Sequence, residues 1–215
     1  MSYFTIRKEA SFNFEEKKSV FIGSISRIYS EDEARQFINK IKSSNKEARH
    51  NVYAYCIGKN KGIQRYSDDG EPQGTGGIPV LEVIKKKDIT DVVIVVTRYF
   101  GGILLGAGGL VRAYSKASSG AVDESGIIEK VNGFEVQILI EYDLLGKFQY
   151  LCSENSWYME NIEYSDKVKI EILAVSEIVK EIQDKVLDLS SGKAEISISD
   201  EKSFFSSEGR LFLSI

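Results

Sequence analysis

Cysteine and histidine are scarce in this sequence. Its 215 residues include two cysteines, Cys56 and Cys152, and one histidine, His50. The cysteines lie far apart and lack C-x-x-C spacing, so we predict neither a disulfide framework nor a thiolate zinc site. Both are expected to be buried as small apolar side chains. A single histidine with no evident nucleophile partner does not identify a general base, and a hydrogen-bonding role is the simpler expectation for His50.

Long apolar runs are absent as well. No stretch approaches the ~18 apolar residues that indicate a membrane span. The first residues also lack the basic and then apolar pattern of a signal peptide. We therefore expect a soluble, cytoplasmic protein with no membrane partner. The chain exceeds the ~100–200 residues typical of one domain, so one large domain and two small ones both remain open.

The acidic balance of the chain is uneven. The formal net charge is −4, but residues 1–134 hold 20 Lys and Arg against 16 Asp and Glu, while residues 135–215 hold 8 against 16. The first part is therefore basic and the second acidic. Such a division is compatible with an anionic partner for the first part, although surface charge more often serves solubility.

Periodicity in the first part predicts a sheet with helices. Alternating residues through Phe14 and then Val20–Ile28 indicate a strand pair. Ser30 and Glu33 form a capping-box pattern ahead of an amphipathic helix, Glu31–Lys42. Further strands are predicted at Asn51–Gly58 and Val92–Val96, and further helices from Pro79 to Lys87 and from Leu110 to Asp123.

The second part has its own order of elements. We predict a strand at Phe134–Tyr142, a helix at Asp143–Glu154, strands at Trp157–Tyr164 and Lys167–Val175, a helix at Ser176–Leu189 and a strand at Ala194–Ile198. This βαββαβ order is that of a ferredoxin-like domain. We therefore predict an α+β protein with domains at residues 1–132 and 134–215, joined near Asn132–Gly133.

The most unusual stretch is Thr97–Tyr114, which reads TRYFGGILLGAGGLVRAY. It places five glycines between a buried strand and the start of a helix, where unpaired N–H groups favour anions. Arginines bracket the loop and suit phosphate or carboxylate. Tight strand-to-helix packing, with the arginines paired to acidic residues of the chain, is the alternative. The candidate phosphate-binding residues are Arg98, Tyr99, Gly101, Gly102, Gly106, Gly108, Gly109 and Arg112.

A second unusual stretch, Arg65–Pro79, contains the turn-like sequence DDGE. Its three carboxylates have the oxygen ligands that Mg²⁺ or Ca²⁺ prefers, or they pair with the arginines of the glycine loop. The spacing fits no EF-hand, so a metal site is left open, and we expect the two stretches to meet in one pocket. The associated polar pocket is predicted to contain His50, Asp68, Asp69, Glu71 and Thr75.

These residues give the chain a family resemblance. HNVYAY at His50–Tyr55, SDDGEPQGTGG at Ser67–Gly77 and VVTRYFGGILLGAGGLVRAY at Val95–Tyr114 resemble the YigZ/IMPACT family, and the likeness extends over the whole chain. Two positions depart from the usual family pattern, because GTGG at Gly76 replaces GTAG and Leu104 replaces a lysine.

The resemblance implies a fold for each domain and a role related to translation. It implies an N-terminal domain of the fold shared by a ribosomal small-subunit protein, domain IV of elongation factor G and small-metabolite kinases. It also implies a C-terminal domain similar to the last domain of elongation factor G. Eukaryotic relatives are linked to translational control through an additional N-terminal module, and a nucleic-acid-binding role is proposed for bacterial relatives.

Three functions compete at this point. The first is a non-catalytic protein associated with translation or its regulation, whose glycine loop and basic domain contact phosphates of RNA or the ribosome, with Tyr99 and Phe100 as a stacking surface. The second is a Mg²⁺-dependent enzyme acting on a phosphorylated small molecule or nucleotide. The third is a protein-interaction module, with a translation-regulatory protein among the expected partners. No cofactor is expected.

Overall fold

The computed structural model describes residues 2–214, which form a mixed α+β, two-unit architecture. One compact unit runs from Tyr3 to Ile128, and the other begins at Glu129. The helices are α1 (Glu31–Ser44), α2 (Gly77–Lys86), α3 (Ala107–Ser125), α4 (Leu145–Asn155), preceded by a 3-10 turn at Tyr142–Leu144, and α5 (Ser176–Leu189). The strands are β1 (Tyr3–Ile6), β2 (Ala10–Glu16), β3 (Ser19–Arg27), β4 (His50–Ile57), β5 (Ile63–Ser67), β6 (Val92–Tyr99), β7 (Ile127–Ile140), β8 (Met159–Tyr164), β9 (Val168–Val175), β10 (Glu195–Ile198), β11 (Lys202–Ser207) and β12 (Arg210–Phe212).

The first unit is built on an antiparallel sheet in the order β2-β3-β6-β4-β5. Strand β6 is central, and its residues Val92, Ile94 and Val96 belong to one buried cluster while Val93 and Val95 belong to another. Because successive side chains of a strand point to opposite faces, this run of β-branched residues fills both cores. Helices α2 and α3 lie against one face and α1 against the other.

Local signals explain the ends of α1. The Glu33 N–H donates to the Ser30 hydroxyl at 3.2 Å, and the Glu33 carboxylate accepts from the N–H of Tyr29 at 2.8 Å. Serine therefore caps the helix as predicted, although the glutamate reaches one residue further back than in a standard capping box. The helix continues two residues past the predicted end, to Ser44.

The second unit has the predicted βαββαβ order, followed by the β11–β12 hairpin. Strand β9 lies between β8 and β7. Strand β11 pairs with the first half of β7, and β10 pairs with its second half. Alternate residues of β9 are buried, and they pack with α4 and α5 in one core that includes Phe148 and Ile182. The hairpin strands carry weak alternation and were absent from the sequence-based prediction.

Strand β7 differs most from its prediction. It runs continuously from Ile127 to Ile140, so both the division at Ile128 and the predicted join at Asn132–Gly133 lie inside a strand. A Cβ at Gly133 would lie 2.6 Å from the carbonyl oxygen of Ala174. Glycine at this position therefore permits close approach of β7 and β9.

None of the helices between residues 2 and 214 is both long enough and apolar enough to cross a membrane.

Candidate functional site

Strand register brings the two unusual stretches together. In the β4–β6 pair, His50 lies opposite Arg98 and Asn51 opposite Thr97. The Thr97 hydroxyl donates to the Asn51 side-chain oxygen at 2.8 Å, and both residues are buried. Strand β5 pairs with β4 and leads into the DDGE turn, so the turn comes to the end of β6 although about thirty residues separate them.

A buried cluster of three side chains joins the turn, β6 and α3. Arg98 Nη1 donates to Glu71 Oε1 at 2.7 Å, and the Tyr114 hydroxyl donates to the same oxygen at 2.7 Å. The Arg98 and Glu71 side chains are only 6% and 4% exposed. Burial, and then the hydrogen bond and charge of Glu71, raise the pKa of Tyr114, which keeps its hydroxyl protonated as a donor. Glu71 Oε1 thus accepts hydrogen bonds from two side chains.

This cluster changes the role predicted for Arg98. The side chain was a candidate phosphate contact, but it is an interior cation already paired with Glu71. Its guanidinium also lies 5.5 Å from the Phe21 ring centre and 5.4 Å from that of Phe100. Among the described residues, Arg98 Nε has no hydrogen-bond partner. The packing alternative, in which the arginine pairs with an acidic residue of the chain, describes Arg98 correctly.

Asp68 caps a helix instead of facing a ligand. Its carboxylate accepts from the N–H groups of Gly74, Gly76 and Gly77 at 2.9, 3.0 and 2.8 Å. These groups lie at the start of α2, where Gly76 itself provides no side-chain cap. An anion at a helix N-terminus satisfies free donors and opposes the positive end of the helix dipole. The carboxylate therefore stabilises the turn.

Asp69 is also engaged locally. Its carboxylate accepts from the Asn51 N–H at 2.7 Å and from Lys42 Nζ at 2.8 Å, and its φ is 45°. The Asp69 carbonyl lies 2.8 Å from His50 Nδ1. Since a carbonyl only accepts, Nδ1 is the donor in this contact and carries a hydrogen. The hydroxyl of Thr75 donates to the Pro72 carbonyl at 2.6 Å.

The three carboxylates of the DDGE turn are each engaged by groups of the chain. Asp68, Asp69 and Glu71 each accept hydrogen bonds from different groups of the chain and do not converge. Across residues 2–214, no three His, Cys, Asp or Glu side chains are placed to hold a metal ion. The carboxylates are therefore structural in this arrangement.

A cavity opens beside the buried cluster. Its volume is about 290 Å³. We call it the apolar cavity, because apolar side chains form most of its wall and the Arg98–Glu71 pair lies in it. Its lining residues are Arg49, His50, Glu71, Pro72, Arg98, Phe100, Leu104, Leu105, Gly106, Ala107 and Leu110.

Glycine is required in the glycine loop where the backbone passes close to another segment and where φ is positive. A Cβ at Gly101 would lie 2.0 Å from the Lys18 carbonyl, so only glycine fits against the β2–β3 turn. Gly102 and Gly106 have φ of 83° and 70°. Gly106 precedes α3 without a side-chain cap, and no acidic residue occupies the first turn of that helix, which contains Gly108 and Gly109. The start of α3 therefore keeps the electropositive character predicted for it.

A second cavity lies at the other side of Leu105. Its volume is about 240 Å³. We call it the basic groove, and its lining residues are Phe14, Glu16, Lys17, Leu105, Gly109, Arg112, Ala113 and Lys116. Lys116 Nζ stands 4.3 Å from the Phe14 ring centre. Within residues 2–214, the side chains of Lys17, Arg112 and Lys116 enter no salt bridge.

Sequence reasoning missed part of this groove. Arg112 was a candidate, but Lys17 and Lys116 were not. Lys116 follows Arg112 by four residues, a spacing that places both on one face of a helix and could have indicated the pair. Lys17 comes from the two-residue turn between β2 and β3, and only the contact of that turn with the glycine loop places it here.

Tyr99 does not join either cavity. Its hydroxyl donates to the Asn45 side-chain oxygen at 2.8 Å, and it follows Arg98 on a strand, so it points to the opposite face of the sheet. Phe100 does line the apolar cavity and is 40% exposed. Of the predicted aromatic pair, Phe100 alone is placed to stack on a ligand there.

Both cysteines are buried free thiols, as predicted. Burial raises the pKa of Cys152 to about 11 and also raises that of Cys56. A protonated, enclosed thiol is a poor nucleophile. Neither cysteine therefore contributes a reactive group to the site.

Comparison with known proteins identifies both parts of the chain. Residues 17–122 match the Impact N-terminal domain, and residues 138–193 match the Domain of unknown function (DUF1949). A solved structure described as "Crystal structure of an hypothetical protein" has a TM-score of 0.60 and 29% sequence identity, covering 93% of this chain and 98% of its own.

Two bacterial relatives match this chain over nearly its whole length. IMPACT family member YvyE of Bacillus subtilis (strain 168) is 40% identical over 195 residues, 91% of this chain and 90% of the relative. IMPACT family member YigZ of Escherichia coli (strain K12) is 31% identical over 189 residues, 87% of this chain and 93% of the relative. Protein IMPACT homolog of Dictyostelium discoideum is 41% identical over 95 residues, 42% of this chain and 27% of that protein. With 40% identity over nine-tenths of both sequences, the chain belongs to the IMPACT family.

Proposed function

We propose that this protein is a non-catalytic binding protein of translation or its regulation, and that its first unit contacts RNA phosphates. The observation that carries the proposal is the basic groove. Three cations without salt bridges surround a concave surface at the uncapped start of a helix. Cations left unpaired by the protein are available to neutralise phosphates, which supplies most of the sequence-independent affinity for nucleic acid.

The proposal assigns the phosphate contacts to Lys17, Arg112 and Lys116. Arg98 is not among them, because Glu71 already neutralises its charge inside the protein. The backbone N–H of Gly109, which lines the groove in the first turn of α3, adds a donor. Glu16 also lines the groove, and its negative charge limits which phosphates approach from that side.

Membership of the IMPACT family supports the proposed role in translation. The resemblance implies translational control for the eukaryotic relatives, and we propose a cytoplasmic role with RNA or the ribosome as partner. We also propose that the second unit is a ferredoxin-like domain, since its first four strands adopt the order β8-β9-β7-β10 around two helices. For the first unit, we propose the fold of the ribosomal-protein and elongation-factor-G domain-IV type.

A salt series tests the phosphate contacts. Affinity of the full chain for a fluorescent single-stranded RNA is measured by anisotropy as salt rises. We expect Arg112→Ala and Lys116→Ala each to lower affinity and to reduce the slope of log affinity against log salt by about 0.7–1, because each lost phosphate contact releases one counterion fewer. Lys40→Ala, an exposed cation of α1, is the matched control and should leave the slope unchanged.

Two results would overturn the proposal. One is the absence of RNA binding by the parent protein at low salt. The other is a salt slope that neither groove variant changes. Either result would favour a protein partner over RNA.

A further inference from the structure

The apolar cavity adjoins the basic groove. Leu105 lines both, and the first residues of α3 contribute Gly106 and Ala107 to the apolar cavity and Gly109 to the groove. A ligand whose charged part occupies the groove therefore has a second, apolar recess within reach of the same helix start.

The mouth of this cavity exposes large apolar side chains to water. Leu104 is 82% exposed and Phe100 is 40% exposed. Both line the cavity, with Leu105 and Leu110 behind them. Exposed apolar side chains around a concavity indicate a binding surface more than a solvated loop. Phe100 adds the flat face that stacks on planar rings.

Part of the cavity wall is polar. Arg98, whose side chain is 6% exposed, lines it, and among the described residues its Nε has no hydrogen-bond partner. Glu71 and the ring of His50 line the cavity as well. The polar groups of Arg98, Glu71 and His50 that line the cavity offer both hydrogen-bond donors and acceptors to a ligand.

We propose that the apolar cavity receives one unstacked nucleobase of a single-stranded RNA whose phosphates lie in the basic groove. This inference rests on the proposed function. A base offers a planar apolar face for Phe100 and Leu104 and an edge with both acceptors and donors for Arg98 and Glu71. A volume of about 290 Å³ lies just below the range for drug-sized ligands, roughly 300–1,000 Å³, so the cavity suits one ring system. Paired bases are stacked inside a duplex and cannot enter, so the cavity makes the protein selective for single strands.

Three RNA probes of equal length test this inference with the full chain. They are a single strand, the same strand in a duplex, and a ribose-phosphate chain without bases. We expect the single strand to bind at least about fivefold more tightly than either of the others at one salt concentration, which is the low end of the effect of one stacked base. The expected salt slopes for the single strand and the baseless chain are the same, because both place phosphates in the groove.

Variants at the mouth separate base binding from phosphate binding. Phe100→Ala and Leu104→Ser should each weaken single-strand binding, Phe100→Ala by about fivefold or more, without changing the salt slope or the affinity for the baseless chain. Leu104 is so exposed that its replacement does not disturb folding, which keeps the test valid if Phe100→Ala is unstable. Ile103→Ser, in the same loop but outside the cavity lining, is the matched control.

The outcomes distinguish the two proposals. Equal binding of all three probes, with no effect of either variant, would overturn base binding while leaving the phosphate contacts in place. Absence of binding to every probe would overturn both.

Discussion

At the scale of single residues, Arg98 and Glu71 form a buried ion pair that joins the DDGE turn to β6. The pair is almost completely buried, and Tyr114 completes the hydrogen bonding of the carboxylate oxygen. Bringing two charges out of water costs free energy that only good geometry offsets. Loss of one partner leaves the other charge buried and uncompensated, which is worse than losing both.

We predict that Arg98→Met and Glu71→Gln each lower the free energy of unfolding by about 3–5 kcal/mol, because each leaves an unpaired interior group. The double variant should be destabilised by less than the sum of the two single changes. Urea unfolding followed by circular dichroism measures all three. Arg112→Met, an exposed arginine of the groove, should change stability by no more than about 0.5 kcal/mol. A cost below about 1 kcal/mol for Arg98→Met would contradict an interior ion pair.

At the scale of elements, α3 is held unusually close to the sheet. A Cβ at Gly23 in β3 would lie 2.3 Å from the carbonyl oxygen of Ala117 in α3. The buried side of α3 includes the small residues Ala113, Ala117 and Ala121. This close contact fixes the position of α3 on the sheet, and the first turn of the helix contributes residues to both cavities.

We predict that Gly23→Ala destabilises the protein by about 1–3 kcal/mol, because its methyl group must displace the backbone of α3. Gly146→Ala is the matched change. Gly146 lies in α4 with open space around the new methyl group, so alanine should stabilise the helix by roughly 0.5–1 kcal/mol. Thermal unfolding of both variants checks the signs. Equal effects of the two substitutions would show that helix propensity, and not the approach of α3 to β3, decides the result.

At the scale of the whole molecule, two separate cores correspond to the two parts of the sequence that differ in charge. The clusters on the two faces of the first sheet lie entirely before Glu129, and the core of α4 and α5 lies entirely after it. A unit with its own apolar core has the main source of folding free energy within its own sequence. The basic groove and the apolar cavity both belong to the first unit.

We predict that a fragment of residues 1–132 folds by itself and keeps the RNA affinity and salt slope of the full chain. Its urea transition should be cooperative, with a smaller m-value than the full chain, since less surface is exposed on unfolding. A fragment of residues 134–215, with its acidic balance, should not bind the same RNA. A non-cooperative or aggregated 1–132 fragment would show that the first unit depends on the rest of the chain.

Most regular elements of this protein follow from the sequence alone. Helix α5 has the predicted bounds, Ser176–Leu189, and the capping serine of α1 is Ser30 as expected. The apolar run Val92–Val96 predicted a strand, which the structure contains as the first five residues of β6. These features depend on interactions between residues that are close in the sequence. The spacing of apolar and capping residues is therefore enough to predict them. The short strands β5, β11 and β12 escaped prediction because pairing with distant strands stabilises them more than their own alternation does.

The tertiary structure decided what the charged residues do. Before folding, Arg98 and Arg112 are equivalent candidates on either side of one glycine loop. Strand register then buries Arg98 against Glu71, while the turn between β2 and β3 brings Lys17 toward Arg112 and Lys116 and leaves these three cations without salt bridges. The physical reason is that the role of a charged side chain depends on its distance to other charges and on its access to water. Both are set only when segments remote in the sequence come together in the fold.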